Sequence, residues 1–207
     1  MRMTAYGDPE ASTVLVQMAD DHDLEGIGSE IAEIRRLTDR PFALLAFRVE
    51  SWNHDLSPWK APAVFGNEPF GDGAADTLAE ALRHCADREK RYIIGGYSLA
   101  GLFALWAAYQ TDAFAAAAAA SPSVWFPGFA EYITARRPYA GSVYLSLGDR
   151  EERTRNPVMS AVGDRIREIH ELLRGQGVNT VLEWNPGNHF RDADLRTARA
   201  FAWAMRQ

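Results

Sequence analysis

Ser98 lies in the string Gly96-Tyr97-Ser98-Leu99-Ala100-Gly101, between an apolar run and an apolar helical stretch. A serine in a strand–turn–helix setting with small residues two places to either side is the pattern of a nucleophile elbow. Gly96 fills the first small position, and Ala100 stands where the pattern usually has a second glycine. A serine hydroxyl is a poor nucleophile near neutral pH, so it needs a base and a group that orients the base. His189, in the loop after the last apolar run, is the candidate base. The orienting acid is expected between the two, after the penultimate strand, where Asp149, Glu151 and Glu152 all occur. Glu151, three residues past Gly148, is the first choice and Asp149 the second. The oxyanion that such a serine creates needs N–H donors. The Leu99 amide is one candidate, and Ala19 or Asp20, after the first strand, supplies the other.

These residues need a scaffold that brings distant loops to one edge. Apolar runs predict strands at Thr13–Met18, Phe42–Phe47, Arg91–Ile94, Val143–Leu147 and Val181–Trp184. The alanine run Phe114–Ala120 favours helix by propensity. It is read as a buried strand because a helix has just ended at Thr111-Asp112 and Pro122 follows. Helical spacing marks Gly28–Leu37, Ala74–Arg88, Leu99–Tyr109, Ser160–Arg174 and Ala193–Met205. Strands separated by helical crossovers imply one α/β domain over residues 1–207, a three-layer sandwich with a mostly parallel sheet and helices on both faces. Ligands of such sheets sit beyond the carboxyl ends of the strands, which is where Ser98, the three acids and His189 fall.

Residues 51–72 form a long connection rich in Pro, Gly and Trp, read as a pocket rim or flap. Trp52, Trp59, Tyr97, Trp125 and Phe126 flank strand ends and are candidates to line a substrate pocket, with core packing an equally weighted reading. His54-Asp55 and Lys60 are read as loop and solvent-facing residues, and Asp20-Asp21-His22-Asp23 as a solvated loop rather than a metal site. His84 and His170 read as residues on helix faces.

Lys+Arg 22 against Asp+Glu 28 gives a net charge of −6, which opposes a broad nucleic-acid or anionic-membrane footprint. The single cysteine, Cys85, excludes an internal disulfide framework and a cysteine-cluster zinc site. No stretch is apolar enough for a signal peptide or a membrane span, so the expected compartment is the cytoplasm.

The strings GGYSLAGLFALWAA, SPSVWF, YLSLGDREE and WNPGNHF resemble the esterase branch of the α/β-hydrolases that includes esterase D-like and enterochelin-esterase-like serine hydrolases. The resemblance runs from about Thr13 to the end of the chain. It implies a compact α/β-hydrolase-like fold without a large lid and lacking the first strands of the full fold. It matches Ser98 to the family nucleophile, His189 to its base and Glu151 to its acid. The implied activity is cleavage of a carboxylic ester of a small or medium substrate through an acyl-enzyme, with no cofactor or metal. Acyl transfer by the same triad, or a binding module on a hydrolase scaffold, are the alternatives. The chain's oligomeric state and its natural ester stay open.

Overall fold

The computed structural model describes all 207 residues. Seven strands form one sheet: β1 (Arg2–Gly7), β2 (Thr13–Ala19), β3 (Ala43–Arg48), β4 (Arg91–Tyr97), β5 (Phe114–Ala120), β6 (Ser142–Gly148) and β7 (Asn179–Asn185). Their order across the sheet is β1-β3-β2-β4-β5-β6-β7. Every neighbouring pair is parallel except β1 with β3. The order reverses at β2, so the carboxyl ends of β2 and β4 stand side by side at the switch point, where open α/β sheets bind ligands.

Helices cover both faces. The helices α1 (Asp21–Leu37) and α7 (Ala193–Ala204) pack Ile27, Ile31, Ile34, Ala198 and Phe201 against one face. On the other lie α3 (Ala74–Leu82), α4 (Ser98–Ala107), α5 (Phe129–Thr134) and α6 (Val162–Gly175), with Leu78, Phe103, Phe129 and Ile166 in the core. The alanine run is strand β5, with Ala116 to Ala120 wholly enclosed. Its small side chains let α4 on one face and α7 on the other approach the sheet closely. That packing overrides alanine's helix propensity.

Five features differ from the sequence reading. The sheet begins before Thr13, because β1 adds an antiparallel edge strand; its residues are exposed or only half-buried, so no apolar run marks it. Helix α1 starts at Asp21 rather than Gly28. A capping box starts it: the Asp23 N–H donates to Asp20 Oδ1 at 2.8 Å, and the Asp20 N–H to Asp23 Oδ2 at 3.2 Å. Residues 51–72 are not structureless. They hold the short helix α2 (Trp52–Asp55) and a bridge between Ala61 and Phe70. Helix α3 stops at Leu82 instead of reaching Arg88, and α5 had no counterpart in the sequence reading. No helix is long and apolar enough to cross a membrane.

Candidate active site

Strand β4 ends at Tyr97 and α4 begins at Ser98 with no residue between them. The connection is so tight that Ser98 takes a left-handed φ of 57°, a strained conformation for a side chain with a Cβ. The strain lifts Oγ above the sheet. Gly96 and Ala100 face each other across this turn: a Cβ on residue 96 would lie 2.7 Å from the Ala100 Cβ. The methyl group at position 100 therefore occupies room that Gly96 leaves, so the departure from a second glycine is accommodated. The Leu99 amide, in the first turn of α4, is one of the N–H groups that a helix leaves without an internal acceptor.

His189 follows β7 in a loop that crosses over the sheet edge. Its Nε2 is 2.9 Å from Ser98 Oγ, and its Nδ1 is 2.7 Å from Glu151 Oε2. The three candidate acids separate clearly. Only Glu151 reaches the imidazole, and its side chain is almost fully enclosed. Asp149 Oδ1 accepts the Gly187 N–H at 2.8 Å, bracing the two loops. Glu152 faces Arg167 on α6.

The second oxygen of Glu151 is heavily bonded. Oε1 accepts from the Gly148 N–H at 2.6 Å, Ser121 Oγ at 2.8 Å and Arg196 Nη1 at 3.0 Å. Gly148 is required here because a Cβ would lie 2.5 Å from the Gly187 carbonyl and 2.9 Å from Oε1 itself. Ser121 turns after β5 with a φ of 41°, the second non-glycine residue at this edge in the left-handed region.

Sequence reasoning did not find Arg196. It lies on α7 and is 1% exposed. Besides Glu151, its guanidinium donates to the Tyr97 hydroxyl and to the Pro186 and Asn188 carbonyls, each at 3.1 Å. One buried cation thus ties the acid to the loop that carries the histidine. Tyr97 completes the brace by donating from its hydroxyl to the His189 carbonyl at 2.8 Å. Burial, and then the nearby Glu151 carboxylate, push the Tyr97 phenol up to about 12, so it keeps that proton at neutral pH. Its ring also lies 5.1 Å from the imidazole, centroid to centroid.

The other residues proposed for substrate contact are tied to the protein. Trp59 Nε1 donates to the Pro127 carbonyl at 2.9 Å, and its ring packs edge-on against Phe126. Phe126 is 2% exposed. Trp125 packs on Phe65 and Phe70, and Trp52 is partly buried against the core. Ala19 ends β2 beside β4, and its carbonyl accepts the Val49 N–H at 3.0 Å. Ala19 pairs with Arg48 in the parallel β2–β3 ladder, so its N–H points to β3 and away from Ser98. The next amide, of Asp20, donates to Asp23 Oδ2 at 3.2 Å, and neither expected second oxyanion donor is free here. Asp20 and Asp23 bond each other's backbone, and no group of three or more His, Cys, Asp or Glu side chains is placed to hold a metal ion.

This edge has the layout of a serine hydrolase on an α/β-hydrolase scaffold. No protein-family model and no curated protein sequence matches the chain. Solved structures match its fold. Siderophore hydrolase EstA from Aspergillus nidulans is similar with a TM-score of 0.69 at 17% identity, over 99% of this chain and 95% of that one. An IroE-like serine hydrolase from Shewanella oneidensis gives 0.70 at 13% identity, over 97% and 73% of the two chains. A Bacillus cereus carboxylesterase gives 0.60 at 17%, over 100% and 94%. At these identities the likeness is one of fold: the chain has the α/β-hydrolase fold found in these esterases and serine hydrolases.

Proposed function

We propose that this chain is a serine hydrolase that cleaves the carboxylic ester of a small or medium-sized substrate through an acyl-enzyme. The observation that carries the reading is the unbroken run Ser98 Oγ–His189 Nε2–His189 Nδ1–Glu151 Oε2, with contacts of 2.9 and 2.7 Å. The likeness in fold to a siderophore hydrolase, a serine hydrolase and a carboxylesterase supports the same reaction class.

In this reading Ser98 Oγ attacks the ester carbon while its proton passes to His189 Nε2. Glu151 accepts the Nδ1–H throughout, which fixes the tautomer and stabilises the imidazolium that forms. The Leu99 amide holds the oxyanion; one such donor contributes about 3 kcal/mol in related chemistry. Collapse breaks the bond to the leaving oxygen, which takes the proton from Nε2 and departs as the alcohol. Water then enters, gives a proton to His189, and releases the acid.

A fluorophosphonate probe tests this directly. Wild type is expected to label stoichiometrically, Ser98→Ala not at all, and His189→Ala far more slowly. Failure of the folded wild type to label would overturn the proposal. A series of nitrophenyl esters of increasing acyl length then defines the substrate range.

A further inference from the structure

The sheet brings a second hydroxyl to the reacting oxygen. Ser123 sits in the Ser121-Pro122-Ser123 turn after β5, is 2% exposed, and places its Oγ 3.3 Å from Ser98 Oγ. The Ser123 N–H also donates to the Ser98 carbonyl at 3.0 Å. Backbone therefore holds the two residues together, whatever the hydroxyl does.

The protons fix the direction of the hydroxyl contact. Glu151 Oε2, as a carboxylate, only accepts, so His189 Nδ1 carries the ring proton and Nε2 is left as an acceptor. The one hydroxyl proton of Ser98 goes to Nε2. Ser123 is then the donor and Ser98 Oγ the acceptor. At 3.3 Å the contact is longer than an ordinary O–H···O bond, which is about 2.7–2.8 Å, so it has room to tighten as charge grows on Ser98 Oγ.

We propose that Ser123 is a catalytic residue for deacylation, donating a hydrogen bond to Ser98 Oγ as that oxygen leaves the acyl carbon. The inference rests on the serine-hydrolase reading above. In the acyl-enzyme, Ser98 Oγ is an ester oxygen and a weak acceptor. Water adds to the acyl carbon and gives one proton to His189 Nε2. The tetrahedral intermediate then collapses: the C–Oγ bond breaks, its electron pair stays on Oγ, and the proton on Nε2 moves to Oγ. The carboxylic acid leaves, and the Ser123 proton stays on Ser123. The departing Oγ is a far stronger acceptor than the ester oxygen it replaces, so the Ser123 bond strengthens between ground state and transition state, the condition for lowering a barrier. In acylation the bond already exists in the resting enzyme, so the gain there is smaller.

The prediction is a split between the two half-reactions. With a nitrophenyl ester, Ser123→Ala should keep a fast burst of nitrophenol near one equivalent per active site. Steady-state turnover should fall roughly 10- to 100-fold, the range expected for losing a hydrogen bond to a charged group. Intact mass measurement should find the acyl group accumulating on the enzyme. Ser123→Thr keeps the hydroxyl and should retain the wild-type partition. Stoichiometric fluorophosphonate labelling of Ser123→Ala shows that the variant is folded. Equal losses in burst and steady state, no loss in either, or acyl-enzyme accumulation in Ser123→Thr would overturn the role of Ser123. A wild type that does not label overturns the hydrolase reading itself, a separate and distinguishable failure.

Discussion

Arg196 Nη1 and Glu151 Oε1 meet at 3.0 Å with both side chains almost wholly enclosed. A buried ion pair is costly to assemble and more costly to break, because removing one partner strands the other charge without water. Arg196 also holds the Pro186 and Asn188 carbonyls, so its loss frees the histidine loop as well. Arg196→Met is expected to lower stability by about 3–5 kcal/mol, read as a shift of the urea midpoint. Its hydrolysis rate should fall even where the protein remains folded. A midpoint within error of wild type would show that the pair is not buried as described.

Glu151 and Asp149 hold different loops, and charge-removing variants separate their duties. Glu151→Gln replaces the oxygen pair that orients His189 with an amide, and an analogous change in a serine protease triad costs about 10⁴-fold in kcat. A loss of that order is expected in kcat, with less effect on KM. Asp149→Asn keeps an oxygen for the Gly187 N–H and should stay within a few-fold of wild type, since the side chain is more than half exposed. A normal rate for Glu151→Gln, with a collapse for Asp149→Asn, would reverse the assignment of the acid.

The parts that were legible in the sequence share one physical feature: their signal is local. The apolar runs of the central strands report burial on both faces, and the small residues around Ser98 report a tight turn. Chain order then points to His189 and Glu151. Arg196 has no such signal, because an arginine on an amphipathic helix reads as solvated until the partners for its five donors are known. Ser123 is similar: its meaning comes from β5 lying beside β4, a fact of topology. Helix α1 reads from Gly28 because the apolar spacing of Ile31, Ile34 and Leu37 begins only there, after an acidic stretch and a poorly helical Gly26. The structure starts it with the Asp20–Asp23 capping box and packs Gly26 beside Asp194 on α7, so tertiary contact offsets the poor propensity. Strand β1 carries no comparable signal, because an edge strand lacks the continuous apolar run of the centre.

Ala100 offers a test of the elbow's geometry. Restoring the glycine that the usual pattern carries, Ala100→Gly, removes a fully buried methyl from the interior of α4. Because Gly96 already leaves room for that methyl, the change relieves nothing. It opens a small void and adds backbone freedom, so a loss of about 1–2 kcal/mol is expected with no gain in hydrolysis rate. Calorimetry and a nitrophenyl ester assay suffice. A faster, equally stable variant would mean that Ala100 strains the elbow.

Glu30 makes the protein's stability depend on pH in an unusual direction. It lies on α1, is 3% exposed, and has Gln17 Nε2 as its side-chain partner, at 3.1 Å. Glu30 Oε1 and Gln17 Oε1 are both buried without a hydrogen-bond partner. Burial is the main cause that raises the Glu30 carboxyl to about 8, with the Gln17 bond opposing and Asp23 and Asp194 adding to the rise. In the unfolded chain the group loses its proton near its ordinary value of 4.5, while the folded protein keeps it until about 8. Between those values the native state binds the extra proton, so the unfolding free energy falls as pH rises. The stabilisation is complete below about pH 4.5 and gone above about pH 8. Glu30→Gln keeps the shape and removes the titration. Its stability, measured by urea denaturation from pH 5 to 8.5, should fall less steeply with pH than wild type, and above pH 8 it should be the more stable protein. Parallel curves for the two proteins would show that Glu30 titrates like a solvated carboxylate.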